Sequence, residues 1–432
     1  MNDLNVQGVR EPIVRNLADV DFYKLTMLQF IWSSFRDQVV TFRFKNRTDV
    51  DLLESIDLEE LRRQLKRVTK MRFPFWCREA LRYRYGHIFQ TPFLQWLCEL
   101  RLPMPQVGVD SEGKLLVEVT GPWAQVMLWE TITLSIVNRL YFLAKMRELR
   151  LREYDILVEG RRRAVAKFQR LSAYPDLPFV DFGTRRRWSY DHQHELIRTA
   201  MLMVPNQING TSNVLLGMTF NLPLVGTMAH ELPMALQVVF WDQDEGAGHL
   251  VSERKLWQMW EQFYGGQLTV ALPDTYGNDF GLADFSPFAA SWAGVRHDSG
   301  EPFEFGEKVI AFYHLLGIDP TTKMIVFSDG LTDEMMVALW LCFQGRIKVS
   351  FGWGTHLMND MGSDAWPDGN RGLKALSIVM KLVAAKTDGV MRETVKLSDN
   401  PSKATGPRDK VMRIIRKTNY NPMHYQAVEC EV

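Results

Sequence analysis

The side chains best placed to do chemistry lie in short segments punctuated by glycine. His230 sits in Gly226-Thr227-Met228-Ala229-His230-Glu231. An imidazole can attack a phosphoryl group, and the adjacent Glu231 is the nearest carboxylate in sequence to fix its tautomer and raise its basicity. A lone His-Glu pair serves equally well as a structural contact. The segment Gly294-Val295-Arg296-His297-Asp298-Ser299-Gly300 places a cation, an imidazole, a carboxylate and a hydroxyl between glycines. Arg296 can grip an anion with a fork of donors, and Asp298 can accept from vicinal ribose hydroxyls, which suits a phosphorylated sugar. Helix capping by Asp298-Ser299 ahead of Glu301, with Arg296 in an ion pair, would use the same residues.

Three apolar runs end in polar segments of the same kind. Phe327-Ser328-Asp329-Gly330-Leu331-Thr332 and Val349-Ser350-Phe351-Gly352-Trp353-Gly354-Thr355 lie about twenty residues apart. Backbone N–H groups at Gly330, Gly352 and Gly354, with the Thr355 hydroxyl, could cradle a phosphate, although tight turns also need glycine. Trp353 puts a bulky indole into this loop. Phe182-Gly183-Thr184-Arg185-Arg186-Arg187 offers an aromatic face beside a guanidinium, able to stack a flat heteroaromatic ring and pair with its carboxylate, or else to serve as core. There is no GxxxxGK[ST] sequence, so any ATP is held without a P-loop. Arg161 to Arg163 read as a solvated helix face, and His192 with His194 as decoration on an exposed helix.

These segments need elements to hold them. Asp21 to Phe35 carries apolar residues at helical spacing, while Val39 to Phe44 and Leu115 to Val119 read as strands, giving an α+β region over residues 1–120. Gly121-Pro122-Trp123 opens a long helix over Ala124 to Leu149. From Leu177 onward, Phe179 to Phe182, Leu268 to Leu272, Met324 to Phe327 and Ile347 to Phe351 are short strands, each followed by a helical stretch. Repeated strand-then-helix units predict a β/α barrel within 121–372, with its chemistry at strand C-terminal ends. Asn359 to Gly372 reads as a loop.

Composition narrows the function. The 432 residues carry 51 Lys+Arg and 51 Asp+Glu, so no global field draws the chain to nucleic acid or an anionic membrane, and anion binding must be local. Cys77, Cys98, Cys342 and Cys430 lack metal-ligand spacing. With neither an apolar leader nor a membrane-length apolar run, the expectation is a reduced, cytoplasmic enzyme.

In order along the chain, Asp21-Phe22-Tyr23-Lys24, Asp181-Phe182-Gly183-Thr184-Arg185-Arg186, Gly210-Thr211-Ser212-Asn213, the His230 segment, Arg296-His297-Asp298-Ser299-Gly300, Phe327-Ser328-Asp329, Ser350 to Thr355 and Lys396-Leu397-Ser398-Asp399 resemble the nicotinate phosphoribosyltransferases. The resemblance implies an α/β fold: an irregular β/α barrel, plus an α/β domain in which residues 1–120 are completed by about 373–432. It implies that nicotinate reacts with phosphoribosyl pyrophosphate, with Mg²⁺, and that ATP is spent by phosphorylating His230. Phe182 and Tyr23 would sandwich the pyridine ring, with Tyr23 and Asp21 contributed by a second subunit of a homodimer.

By the same resemblance, Arg185 and Arg296 would hold the carboxylate and nearby anions. Asp298 and Asp274 would contact ribose or Mg²⁺, and Gly330, Gly352, Gly354 and Thr355 the 5′-phosphate. Arg47, Lys381, Lys396 and Lys403 would serve pyrophosphate or ATP. The related nicotinamide enzyme has Asp where this chain has Ser212, which favours a carboxylate substrate here. Two other readings compete: a quinolinate phosphoribosyltransferase, against which the His230 segment weighs, and a non-catalytic sensor of nicotinate mononucleotide.

Overall fold

A computed structural model describes residues 11–241, 248–362, 373–399, 404–418 and 420. Its eleven strands are β1 (Val39–Asn46), β2 (Gln106–Val109), β3 (Leu115–Pro122), β4 (Phe179–Asp181), β5 (Ile208–Thr211), β6 (Val270–Ala271), β7 (Gly294–His297), β8 (Met324–Phe327), β9 (Lys348–Trp353), β10 (Ile378–Thr387) and β11 (Val390–Glu393). They form two sheets. The five-stranded sheet, ordered β11-β10-β1-β3-β2, is antiparallel and mixes N-terminal with C-terminal strands. The six-stranded sheet, ordered β5-β4-β9-β8-β7-β6, is parallel.

Helices cross between the parallel strands, as parallel pairing requires. The segment after β5 links the sheet's two edges. Leu224 bridges Thr211 of β5, and the Thr227 hydroxyl donates to the Val270 carbonyl of β6 at 3.0 Å. That closure makes the irregular barrel expected from the sequence. Strand alternation explains Trp353: its indole is fully buried, edge-on to Phe179 at 5.5 Å and Phe168 at 6.3 Å, on the side of β9 opposite Gly352. The indole therefore fills core and leaves the loop's shape alone.

The helix expected over Ala124 to Leu149 is two helices, Trp123–Val126 and Trp129–Glu148, separated by a turn at Met127 and Leu128. Two buried indoles at the junction need partners in different places. Trp123 donates to Glu231 at 2.8 Å and Trp129 to the Pro103 carbonyl at 2.9 Å. One continuous apolar core runs through both sheets, and a smaller cluster gathers Tyr276, Val395 and Leu397 against the C-terminal helix Arg408–Lys417. No helix among the described residues is long and apolar enough to cross a membrane.

Candidate active site

The C-terminal ends of β4, β7, β8 and β9 open into a cavity of about 630 Å³. β10 and the end of β1 wall its other side, contributing Lys381 and Arg47. Tyr23, Phe182, Arg185, His230, Arg296, Asp298, Gly330, Gly352, Gly354, Thr355, Arg47, Lys381 and Lys396 all line this space. Lys403 and residues 363–372 of the expected loop lie outside the described residues.

At one end an aromatic and cationic pocket forms. Phe182 leaves β4 and lies across Gly352, where a Cβ would come within 2.2 Å of its ring; only glycine lets the two strand ends approach this closely. The Arg185 guanidinium stands 6.0 Å from the Tyr23 ring centroid and donates to Glu130 at 3.1 Å. Tyr23 hydrogen-bonds the buried Asp21 at 3.3 Å, and the Ser212 hydroxyl donates to Asp21 at 2.7 Å. Asp21 and Ser212 thus stand behind the lining and hold it. Tyr23, Phe182 and Arg185 of one chain line this pocket together.

At the centre, His230 precedes the helix Glu231–Val239. Its Nδ1 lies 3.1 Å from the Thr275 hydroxyl, and its Nε2 lies 3.1 Å from Asp298 and 3.4 Å from Asp274. Glu231 does not act on His230 as the sequence suggested. It is drawn the other way, into an ion pair with the buried Lys24, which also binds Glu130 at 2.6 Å. Arg296 donates to Asp298 at 2.6 Å and to the Ser328 hydroxyl at 2.8 Å. Asp274 is fully buried, accepting from Ser299 at 2.6 Å.

The charges explain the protonation states. Burial alone would raise the Asp298 carboxyl, but Arg296, His230 and Lys396 together hold it well below the usual carboxylate range. Burial lowers His230 against the opposing pull of Asp274 and Asp298, so the ring is neutral at pH 7. Asp274 and Asp298 present hard oxygen atoms, the donor type that Mg²⁺ takes, and with His230 they bring one ligand atom each within 4.8 Å of one another.

At the other end Arg47, Arg186, Lys381 and Lys396 face the cavity. Burial, then Lys396 and Arg47, push the Lys381 ammonium well below the usual lysine range, and burial beside Arg185 and Arg47 pushes Arg186 down to about 10. Cations crowded until they resist their own charge form a site for a multiply charged anion. The loop after β8, with Gly330 at φ +62°, and the Gly354-Thr355 turn line the cavity as well.

The chain belongs to the nicotinate phosphoribosyltransferase family. Residues 177–423 match that family and residues 18–138 match its N-terminal domain. Two solved structures, both described as nicotinate phosphoribosyltransferase, superpose over almost the whole chain. The one from Vibrio cholerae is 30% identical with a TM-score of 0.83, covering 98% of this chain and 99% of its own. That from Porphyromonas gingivalis is 28% identical with a TM-score of 0.83, covering 94% and 100%. A Saccharomyces cerevisiae structure is 25% identical with a TM-score of 0.81, covering 95% and 99%.

Several members of this nicotinate phosphoribosyltransferase site carried little sequence signal. Arg186 sat inside an arginine run, but its neighbour Arg187 is structural, paired with Asp19 at 2.6 Å. Glu130 and Lys24 lie on helices, where nothing local marks them. Thr275 is next to Asp274, yet its partner His230 is remote in sequence. Elsewhere, His192 is buried rather than on an exposed face, and burial pushes it down to about 4. Arg163 likewise is buried and bonds Glu159 at 2.8 Å, unlike the exposed Arg161 and Arg162.

Proposed function

We propose that the protein forms nicotinate mononucleotide and pyrophosphate from nicotinate and phosphoribosyl pyrophosphate, with ATP spent through phosphorylation of His230. The observation that carries this reading is that a neutral imidazole, an anion-gripping arginine and a polycationic wall face one cavity beside a Phe-Tyr-Arg pocket. The pyridine ring packs between Phe182 and Tyr23, and Arg185 with Arg296 neutralises its carboxylate. Asp298 accepts from the ribose hydroxyls and steadies positive charge developing at C1 as pyrophosphate departs. Arg47, Lys381 and Lys396 hold the departing pyrophosphate. Mg²⁺ held by Asp274 and Asp298 or carried by the substrate phosphates would neutralise part of that charge. The pyridine nitrogen carries no proton, so no general base is needed and catalysis is positioning plus charge stabilisation.

The test is product formation from phosphoribosyl pyrophosphate and Mg²⁺ with nicotinate, nicotinamide or quinolinate, with and without ATP. Nicotinate turnover raised by ATP is expected. His230→Ala should lose the ATP stimulation, and Asp298→Ala should lower kcat/KM at least about a hundredfold. Full ATP stimulation in His230→Ala would end the phosphohistidine reading, and tight binding with no turnover of any substrate would leave a sensor.

A further inference from the structure

Glu130 is a carboxylate on the cavity wall that the reaction above leaves without a role. It stands in the first turn of the helix Trp129–Glu148, with its side chain 14% exposed. One of its oxygens accepts from Arg185 Nη1 at 3.1 Å, and the other lies 2.6 Å from Lys24 Nζ. Burial would raise the Glu130 carboxyl, but Lys24 and Arg185 hold it below its ordinary value, so it is charged at neutral pH. A negative charge beside the arginine that must grip a negatively charged substrate works against affinity.

What it does instead is limit the donors that a ligand can reach. Arg185 Nε lies 3.9 Å from Asp21, whose carboxyl group accepts from Ser212, Thr131 and Tyr23 at 2.7, 3.2 and 3.3 Å. Nη1 is taken by Glu130, so Nη2 is the nitrogen of Arg185 left without a partner among the described residues. Arg296 is committed at all three nitrogens, donating to Ser328 at 2.8 Å, to Asp298 at 2.6 Å and to the Met228 carbonyl at 3.4 Å. Lys24 is fully enclosed and shared with Glu231. Beside Phe182 and Tyr23 a ligand therefore meets one free guanidinium nitrogen, with the carboxyl groups of Glu130, Asp21 and Asp298 around it.

We propose that Glu130 is a specificity-determining residue: by holding one edge of Arg185 and fixing a negative charge beside it, it commits the pocket to a flat ring bearing one carboxylate and excludes dicarboxylates. The inference rests on the reading that the substrate ring lies against Phe182 and Tyr23 with its carboxylate on Arg185. Glu130 acts in two ways that leave different signatures. Orienting Arg185 through a charge-assisted hydrogen bond serves every carboxylate alike. Repulsion by its charge scales with the charge of the ligand, and so weighs about twice as heavily on a dianion as on a monoanion. The ratio of the two affinities reports that charge and is blind to a general disturbance of the pocket.

The experiment is titration calorimetry and inhibition kinetics of the full chain with nicotinate, pyridine-3,5-dicarboxylate and the monoamide of that diacid, which has the same bulk and one charge fewer. In the wild type the dicarboxylate should bind at least about a hundredfold more weakly than nicotinate, and the monoamide within about tenfold of it. Glu130→Gln keeps an acceptor for Arg185 and removes the charge. It should narrow the nicotinate-to-dicarboxylate ratio about tenfold, with the change in nicotinate turnover falling on KM more than on kcat, and Glu130→Asp should restore the ratio. A monoamide excluded as strongly as the dicarboxylate would make size the barrier and overturn the proposal even if no variant folds. An unchanged ratio in folded Glu130→Gln would overturn it as well. The expected ratios in a chain that binds nicotinate without turning it over would support it and reject only the reading of the reaction.

Discussion

A methyl group on Gly352 would lie 2.2 Å from one ring atom of Phe182 and 2.4 Å from the next. The sequence marks this glycine as a phosphate-cradle candidate, but the structure gives it a second task, because its missing side chain is what lets Phe182 lie over β9 and present a face to the cavity. Gly352→Ala should therefore push Phe182 aside, raising the KM for nicotinate several-fold and costing about 1–3 kcal/mol of stability. Steady-state kinetics with urea unfolding reads both, and an unchanged KM would place the aromatic platform elsewhere. At this scale the sequence was legible where a residue type is chemically distinctive, as at His230, Arg296 and Asp298. It was not legible where the partner is remote: the carboxylate on His230 is Asp298, 68 residues away, and not its neighbour Glu231.

At the scale of elements, Lys24 is the tie between helices. Its buried ammonium joins Phe22–Ser34 to Glu130 of Trp129–Glu148 and to Glu231 of Glu231–Val239. Burial raises Glu231, while Lys24 and Arg185 overcome burial to lower Glu130. The lysine thus pairs with the residue that follows His230, the first of its helix. Lys24→Ala leaves the buried Glu231 without its cation and Glu130 with Arg185 alone, and should cost roughly 3–5 kcal/mol, read by chemical denaturation; a loss below about 1 kcal/mol would mean Glu231 finds another partner. Apolar runs with periodic spacing identified the elements themselves: β8 falls on the expected Met324 to Phe327, and β9 within a residue or two of Ile347 to Phe351. The helix break at Met127 and Leu128 had no such signal, since it answers to the remote partners of Trp123 and Trp129.

Across the whole molecule, the antiparallel sheet brings β1 and β10 together with Arg43 opposite Lys381, although more than 300 residues separate them in the chain. Local pattern could place β1 but could not pair it with β10, and the wall formed by Arg47, Arg186, Lys381 and Lys396 exists only because of that pairing. The wall predicts a proton linkage. In the free protein Lys381 is held well below the usual lysine range by burial and by its cationic neighbours, so part of the population is neutral once the pH rises past that lowered value. A bound pyrophosphate reverses the field and raises Lys381 again, so binding takes up protons and affinity falls as the pH rises through this range. Calorimetry of pyrophosphate binding in buffers of different ionisation enthalpy should report that uptake, and Lys381→Met should abolish most of it while weakening binding roughly ten- to a hundredfold. Proton release, or uptake that persists unchanged in Lys381→Met, would move the linkage to other groups such as the pyrophosphate itself and remove the basis for placing the anion on this wall.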